Sequence, residues 1–314
     1  MQQASRKLFK ISFLSLDMIE LTFLGTSQAI PTRKRNHTAI LLRYKDEMLL
    51  IDCGEGTQRQ FRIANINPCK LTGLLITHWH GDHILGIPGL LQTLVLNGYN
   101  KTLHVYGPKG TRKFMQLILN MFIFVGKIKI SVNELEEGIF LKKEDFSLEA
   151  INLKHSARCL AYSFLEAEKR KMDKEKLKKL GIKGKIIGEL QKGKNIEYKG
   201  KIIKPEDVSF MKKGKKIAFI LDTALCNGCY KAAKNADLLV AESTYSAELA
   251  KKAAEYKHLT AKQTAQIAKR SKVKQLILTH LSQRYEYKEK KILDEAKKIF
   301  SNTILARDFM NIKL

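Results

Sequence analysis

Leu74-Leu75-Ile76-Thr77-His78-Trp79-His80-Gly81-Asp82-His83 runs from an apolar triplet straight into three imidazoles and one carboxylate. The triplet reads as a short strand buried on both faces. The cluster His78-x-His80-x-Asp82-His83 sits at its C-terminal end. Neutral imidazole and carboxylate are the donors that suit zinc, with Mn²⁺ and Fe²⁺ as other fits. His78 and His80 lie two residues apart and share one side if the loop stays extended. Asp82 and His83 lie past Gly81, and the reading is that this glycine lets the backbone swing them toward a second point. Two pairs of donors on one short loop suggest two adjacent metals and a hydrolase built around them.

The remaining donors must come from elsewhere. His155 follows the strand pattern Phe146 to Leu153, Asp222 follows Ile217 to Leu221, and His280 follows Gln275 to Leu278. Asp222 has two oxygens and can bridge two metals. Other strands are read at Ile19 to Leu24, Ala39 to Arg43, Met48 to Ile51, Leu103 to Tyr106, Tyr162 to Glu166, Leu238 to Val240 and Thr303 to Ala306. Helices are read from Gly54 through Arg62, at Ile87 to Leu96, Thr111 to Phe122, Ala261 to Ser271 and Lys288 to Phe300. Strands alternate with helices, and polar chemistry falls just after apolar strands. That predicts a mixed α/β layered fold with its site at strand ends. Lys169 to Lys216 breaks the pattern. It is rich in Lys and Gly, contains a helix-like stretch from Asp173 to Leu180, and reads as an inserted arm.

The 314 residues carry 57 Lys and Arg against 31 Asp and Glu, a net charge of +26. A field of that sign favours polyanionic partners such as nucleic acid. Five scattered cysteines (Cys53, Cys69, Cys159, Cys226 and Cys229) do not make a disulfide framework and point to a reducing, cytoplasmic setting. No apolar run has the length of a membrane span, so no membrane partner is expected. Residues 1–17 precede the first clean strand and read as an N-terminal extension, leaving 18–314 as one domain with 169–216 inserted.

His-x-His-x-Asp-His followed downstream by His, Asp and His resembles the metallo-β-lactamase superfamily. Further stretches narrow the resemblance to the short form of the ribonuclease Z family, the tRNA 3′-processing endonucleases. They are Phe23-Leu24-Gly25-Thr26-Ser27, Pro31-Thr32-Arg33-Lys34-Arg35-Asn36, Asp52-Cys53-Gly54-Glu55-Gly56-Thr57-Gln58, Gly107-Pro108, Asp222-Thr223, Ala236 through Thr244 and His258-Leu259-Thr260-Ala261. The resemblance implies an αβ/βα four-layer sandwich with an inserted exosite arm, and two Zn²⁺ per subunit, replaceable by Mn²⁺ or another divalent metal. It implies that His78, His80 and His155 hold one metal, that Asp82, His83 and His280 hold the other, and that Asp222 bridges. It also implies precursor tRNA as substrate, a homodimer, and products with a 3′-hydroxyl on the tRNA and a 5′-phosphate on the trailer. The chain departs from the family in carrying Arg33 where Lys is usual, and in having no Pro in the insert before Pro205.

Phosphodiester hydrolysis needs a nucleophile, charge neutralisation at phosphorus and help for the leaving oxygen. Two metals supply the first two, and Asp82 is placed to ligate and to take a proton from water. The resemblance gives His258 the part of a protonated donor to the leaving oxygen or the scissile phosphate, with Glu242 holding it in orientation. Arg33, Lys34 and Arg35 read as a basic loop facing RNA, and Lys183 and Lys185 as part of the arm's grip on the tRNA body through phosphates. Two other readings compete: a small-molecule ester or phosphodiester hydrolase of the same superfamily, and a non-catalytic RNA-binding module. Cys226-x-x-Cys229 has no second pair and reads as structural. Trp79 reads as packing, His104 as structural, and His37 is left open.

Overall fold

The computed structural model describes residues 18–124 and 126–314; the N-terminal extension expected at 1–17 lies outside them. Two mixed seven-stranded sheets form the centre. The first consists, in spatial order, of Asn311–Lys313, Ile19–Gly25, Ala39–Tyr44, Glu47–Ile51, Gly73–Leu75, Thr102–Pro108 and Lys129–Leu135. The second consists of Thr303–Leu305, Gln275–Thr279, Leu238–Glu242, Lys216–Ile220, Arg158–Glu166, Phe146–Lys154 and Gly138–Lys142.

The strand pattern explains the layering. Leu21, Phe23, Ile40, Leu42, Leu49 and Ile51 point inward and meet Leu148, Leu160, Tyr162, Phe164, Phe219 and Ile277 of the other sheet. The intervening residues Leu41, Met48, Leu50 and Leu74 point outward, under the helices Thr57–Ile63, Ile87–Leu96 and Thr111–Met121. The second sheet does the same: Ala218, Ile220, Leu239 and Leu276 pack beneath the helices Asn227–Ala233, Ala261–Arg270 and Glu289–Lys297. A strand covered on both faces reads as a continuous apolar run because both of its alternating sets are buried. The result is a helix–sheet–sheet–helix sandwich, the four-layer arrangement expected from the resemblance.

Several elements are new relative to the sequence reading. Lys129–Leu135 and Gly138–Lys142 are edge strands with mostly half-buried, partly polar residues, so neither apolar signal marks them. The arm is not a bare loop. Its stalk is the antiparallel pair Lys169–Met172 and Ser209–Lys212. Beyond it, Asp173 accepts hydrogen bonds from the backbone N–H of Glu175 and Lys176 and starts the helix Lys174–Leu180, which Gly181 ends in a left-handed turn at φ 71°. A second helix, Ile186–Gln191, and a hairpin of Ile196–Tyr198 with Lys201–Ile203 follow. Leu177, Ile182, Leu190, Ile203 and Val208 close a small core of their own. Lys216 already belongs to the main sheet, so the stalk ends four residues before the expected limit, at Lys212.

Candidate metal centre

The C-terminal ends of parallel strands converge on one edge of the sandwich. Asp52 follows Glu47–Ile51, His78 lies three residues past Gly73–Leu75, Asp222 two past Lys216–Ile220, and His280 directly follows Gln275–Thr279. His155 joins them from the end of the antiparallel strand Phe146–Lys154. Asp52 and His280 both adopt left-handed backbone, with φ of 57° and 56°. Each chain reversal turns a side chain over the strand end, a conformation that Asp and His tolerate better than most residues.

Two groups of donors share Asp222, and a third, Glu242, His258 and His280, lies beside them. His78, His80, His155 and Asp222 bring one donor atom each within 4.8 Å of one another, and so do Asp82, His83, Asp222 and His280. In the first group His80 Nδ1 lies 3.0 Å from His78 Nε2 and 3.2 Å from His155 Nε2. Asp222 Oδ2 lies 3.6 Å from His78 Nε2 and 3.7 Å from His155 Nε2. In the second, His83 Nε2 and His280 Nε2 are 3.2 Å apart. Asp222 Oδ1 lies 3.3 Å and 3.0 Å from them, and Asp82 Oδ2 3.3 Å and 3.5 Å. Each oxygen of Asp222 therefore faces a different group.

The nitrogens on the far side of the rings decide what faces inward. His78 Nδ1 lies 3.1 Å from Thr77 Oγ1, His83 Nδ1 2.6 Å from Asp52 Oδ2, His155 Nδ1 3.0 Å from the Lys257 carbonyl, and His280 Nδ1 3.0 Å from Thr244 Oγ1. His80 Nε2 lies 3.3 Å from Ser156 Oγ. Thr77 Oγ1 donates to Asp52 and Thr244 Oγ1 donates to Glu242, so both hydroxyls are left to accept from their imidazoles. These partners hold the ring protons outward, and bare lone pairs then converge at about 3 Å on the inner side. Nitrogen lone pairs in that position repel unless a cation lies between them. Asp222 Oδ1, buried and without a well-directed donor, has the same need. The donor set and its outer partners fit two divalent metal ions.

Glu242 and His258 lie beside this centre. His258 Nδ1 is 3.1 Å from Glu242 Oε2 and 3.9 Å from Asp222 Oδ2. Burial disfavours a charged His258, but Glu242 and Asp222 outweigh it and raise its pKa above the usual histidine value. Glu242 also accepts from the Thr223 backbone N–H at 2.7 Å and from Thr244 Oγ1 at 2.6 Å. It thus touches the segments carrying Asp222, His258 and His280 at once.

One sequence expectation is made specific and one needs correction. Gly81 turns the chain without left-handed backbone. It begins a single helical turn, Gly81–Ile84, and that turn carries Asp82 and His83 to the second group. Arg35 does not face solvent with its two neighbours. It is 3 % exposed, its Nε donates to Glu289, and its Nη1 donates to Thr26 and the Ala306 carbonyl. A guanidinium spent on three acceptors, two of them buried, ties the loop to the body. Arg33 and Lys34 are exposed beside it, as are Lys183 and Lys185 on the arm. Trp79 Nε1 donates to Thr111 and the ring packs on Phe114. His104 is exposed and stacks on Tyr106, and His37 Nε2 bonds the Ala29 carbonyl.

Sequence reasoning assigned no role to Asp52, Thr77 or Thr244. The signal for Asp52 was present, since it ends an apolar strand just as Asp222 does. The threonines carried no such mark.

Known proteins resemble this chain along most of its length. Ribonuclease Z of Methanothermobacter thermautotrophicus is 42% identical over 299 residues, covering 95% of this chain and 97% of its own. Ribonuclease Z of Chlamydia muridarum is 41% identical over 290 residues, covering 92% and 95%. The crystal structure of the short form of human tRNase Z superimposes with a TM-score of 0.66 at 28% identity, covering 93% of this chain and 98% of that one. A family model described as anti-Pycsar protein Apyc1 matches residues 19–119, the stretch that contains the His78–His83 cluster.

Proposed function

The chain belongs to the ribonuclease Z family, and on that premise we propose how its residues remove the 3′ trailer from precursor tRNA, leaving a 3′-hydroxyl on the tRNA and a 5′-phosphate on the trailer. The observation that carries this reading is the double donor set divided between the two oxygens of Asp222. His78, His80 and His155 hold one divalent cation, Asp82, His83 and His280 the other, and Asp222 both. All donors are imidazole or carboxylate, which supports zinc with Mn²⁺ as a substitute. When bound, two such ions supply a more acidic water and neutralise charge on the phosphate.

The chain's own groups do the rest. Asp82 is the least enclosed of the two acidic ligands, at 11% side-chain exposure against 4% for Asp222. It takes the proton of the attacking water. His258, held by Glu242, lies on the side of the centre formed by His155 and His280, with ring centroids 5.2 Å and 5.7 Å away. It donates to the leaving 3′ oxygen. Arg33 and Lys34 contact the backbone near the cut, and Lys183 and Lys185 on the arm bind phosphates of the tRNA body. The arm's own core supports this part of the reading, because a self-folded, basic lobe suits a bulky polyanion better than a small ester. Exposed Met121, Phe122 and Ile123 at the end of one helix support a homodimer. The five free cysteines support a cytoplasmic location; among the described residues no helix is long and apolar enough to cross a membrane.

The test is incubation of the purified, metal-loaded chain with a trailer-bearing precursor tRNA. Cleavage near the discriminator base is expected, and its absence in protein of verified metal content overturns the reading. Removal of residues 170–212 is expected to abolish tRNA cleavage and to spare cleavage of a small phosphodiester. Loss of both activities would count against the arm as an exosite.

A further inference from the structure

Cys226 and Cys229 are not used by the chemistry above. Their sulfurs are 3.7 Å apart across the start of the helix Asn227–Ala233. Among the described residues the other three cysteines have no sulfur partner: Cys53 and Cys159 are buried, and Cys69 donates weakly to the Asn97 carbonyl. Cys229 is buried, whereas Cys226 is only half-buried and so is the reachable member. Hydrogen bonds from the Cys229 thiol, and then from the backbone N–H groups of Cys229 and Gly228, favour the Cys226 thiolate and lower its pKa despite partial burial. Loss of the Cys229 proton is disfavoured by that same neighbour and by burial. One half-buried, reachable nucleophile backed by one buried thiol is the arrangement of an attacking and a resolving cysteine.

The pair also touches the metal centre's framework. Cys226 Sγ lies 3.8 Å from Thr223 Oγ1, and Cys229 Sγ lies 3.9 Å from the Ala224 carbonyl. Thr223 and Ala224 directly follow Asp222. Thr223 Oγ1 accepts from the Lys154 N–H at 3.1 Å, and the Ala224 N–H donates to the Lys154 carbonyl at 2.7 Å. That bridge clamps the segment bearing Asp222 to the segment bearing His155. Closing the sulfurs from 3.7 Å to a bond length of about 2.0 Å moves atoms that lean on this clamp. It also removes both S–H groups from it.

We propose that Cys226 and Cys229 form a redox-active dithiol, oxidised by low-molecular-weight disulfides to an intrachain disulfide that loosens the hold of the Asp222 and His155 segments on metal. The Cys226 thiolate attacks one sulfur of the incoming disulfide, forms a mixed disulfide and releases one thiolate. Cys229 loses its proton, its sulfur attacks Cys226 Sγ, and the second thiolate leaves. The two protons given up by the cysteines end on the two released thiols, so the chain is oxidised by two electrons and the small disulfide is reduced. The coupling to metal rests on the reading of Asp222 and His155 as ligands; the dithiol chemistry does not.

The test uses the full, zinc-loaded chain and oxidised glutathione at neutral pH. Expected are the loss of two hydrogens from the mass, a peptide linking Cys226 to Cys229, and reversal by excess reduced glutathione. Cys226→Ser is expected to be inert and Cys229→Ser to stop at a mixed disulfide on Cys226. Both reduced variants are expected to cleave precursor tRNA at the wild-type rate. Release of zinc to a chelator is expected to be about 10-fold faster from the oxidised chain, the lower range for disturbing the groups behind a metal ligand. A pair that stays reduced while Cys69 reacts overturns the dithiol. A linked pair with unchanged zinc release overturns the coupling alone, and a chain that links the pair but never held zinc overturns the metal reading instead.

Discussion

Asp52 and Glu242 occupy matching places in the two halves of the sandwich. Each closes a buried strand, each is fully buried, and each accepts from a threonine hydroxyl that in turn faces a histidine. Each also touches a second imidazole directly: Asp52 touches His83 and Glu242 touches His258. The difference lies in what those second imidazoles face. His83 points its other nitrogen into the second donor group, whereas His258 stands outside both of the groups that contain Asp222. On the proposed reading, one carboxylate therefore stands behind two metal ligands, and the other behind one ligand and one proton donor. The same local device would then serve binding in one half and chemistry in the other.

Removing what the halves share should have the largest effect. Asp222→Ala leaves each donor group without its common member, and both metals are expected to be lost together. Elemental analysis should find less than one metal per chain, with precursor cleavage at background. Retention of one full equivalent would show that the groups are independent.

The comparison itself is broken by exchanging the two carboxylates for alanine. Asp52→Ala is expected to weaken metal retention about 10- to 100-fold, the usual cost of losing the partner behind a ligand. Glu242→Ala is expected to weaken retention less and to lower the cleavage rate at saturating metal by about 100-fold, because general-acid help is worth 10²–10⁴-fold. Competition with a chelator, followed by single-turnover cleavage at excess zinc, separates the two effects. Equal losses of retention in both variants would put Glu242 on the binding side as well.

Smaller changes sharpen the same point. Thr77→Val and Thr244→Val keep each side chain's shape and remove one accepting hydroxyl. Each is expected to cost about 1 kcal/mol in metal binding, the net worth of one hydrogen bond, or roughly fivefold in chelator competition. The smallest effect is expected on the surface. Lys183→Ala with Lys185→Ala should leave metal content unchanged and reduce the steepness with which tRNA binding falls with salt. The slope should change by about 2 if both lysines meet phosphates.

Much of this is legible in the sequence. His78 to His83 stood out because six residues cannot hold so many donors without chemical reason. His155, Asp222 and His280 stood out because each ends an apolar run. A layered α/β fold followed from apolar strands alternating with helices, and the four-layer sandwich from the family resemblance. The edge strands Lys129–Leu135 and Gly138–Lys142 escaped because an edge is half-solvated and its pattern is diluted. Arg35 misled because a basic tripeptide in a loop looks uniform in sequence, while the fold exposes Arg33 and Lys34 and buries their neighbour.

The sequence by itself determined the donor types, their local spacing and the strand ends on which they sit, because these depend on side-chain chemistry and on periodicity along one segment. Only the tertiary structure decided which donors meet, which oxygen of Asp222 faces which group, and which carboxylate stands behind which imidazole. Thr77 and Thr244 acquire meaning only there, since a hydroxyl's role is set by what lies on its two sides. For Thr244 one of those sides is 36 residues away along the chain.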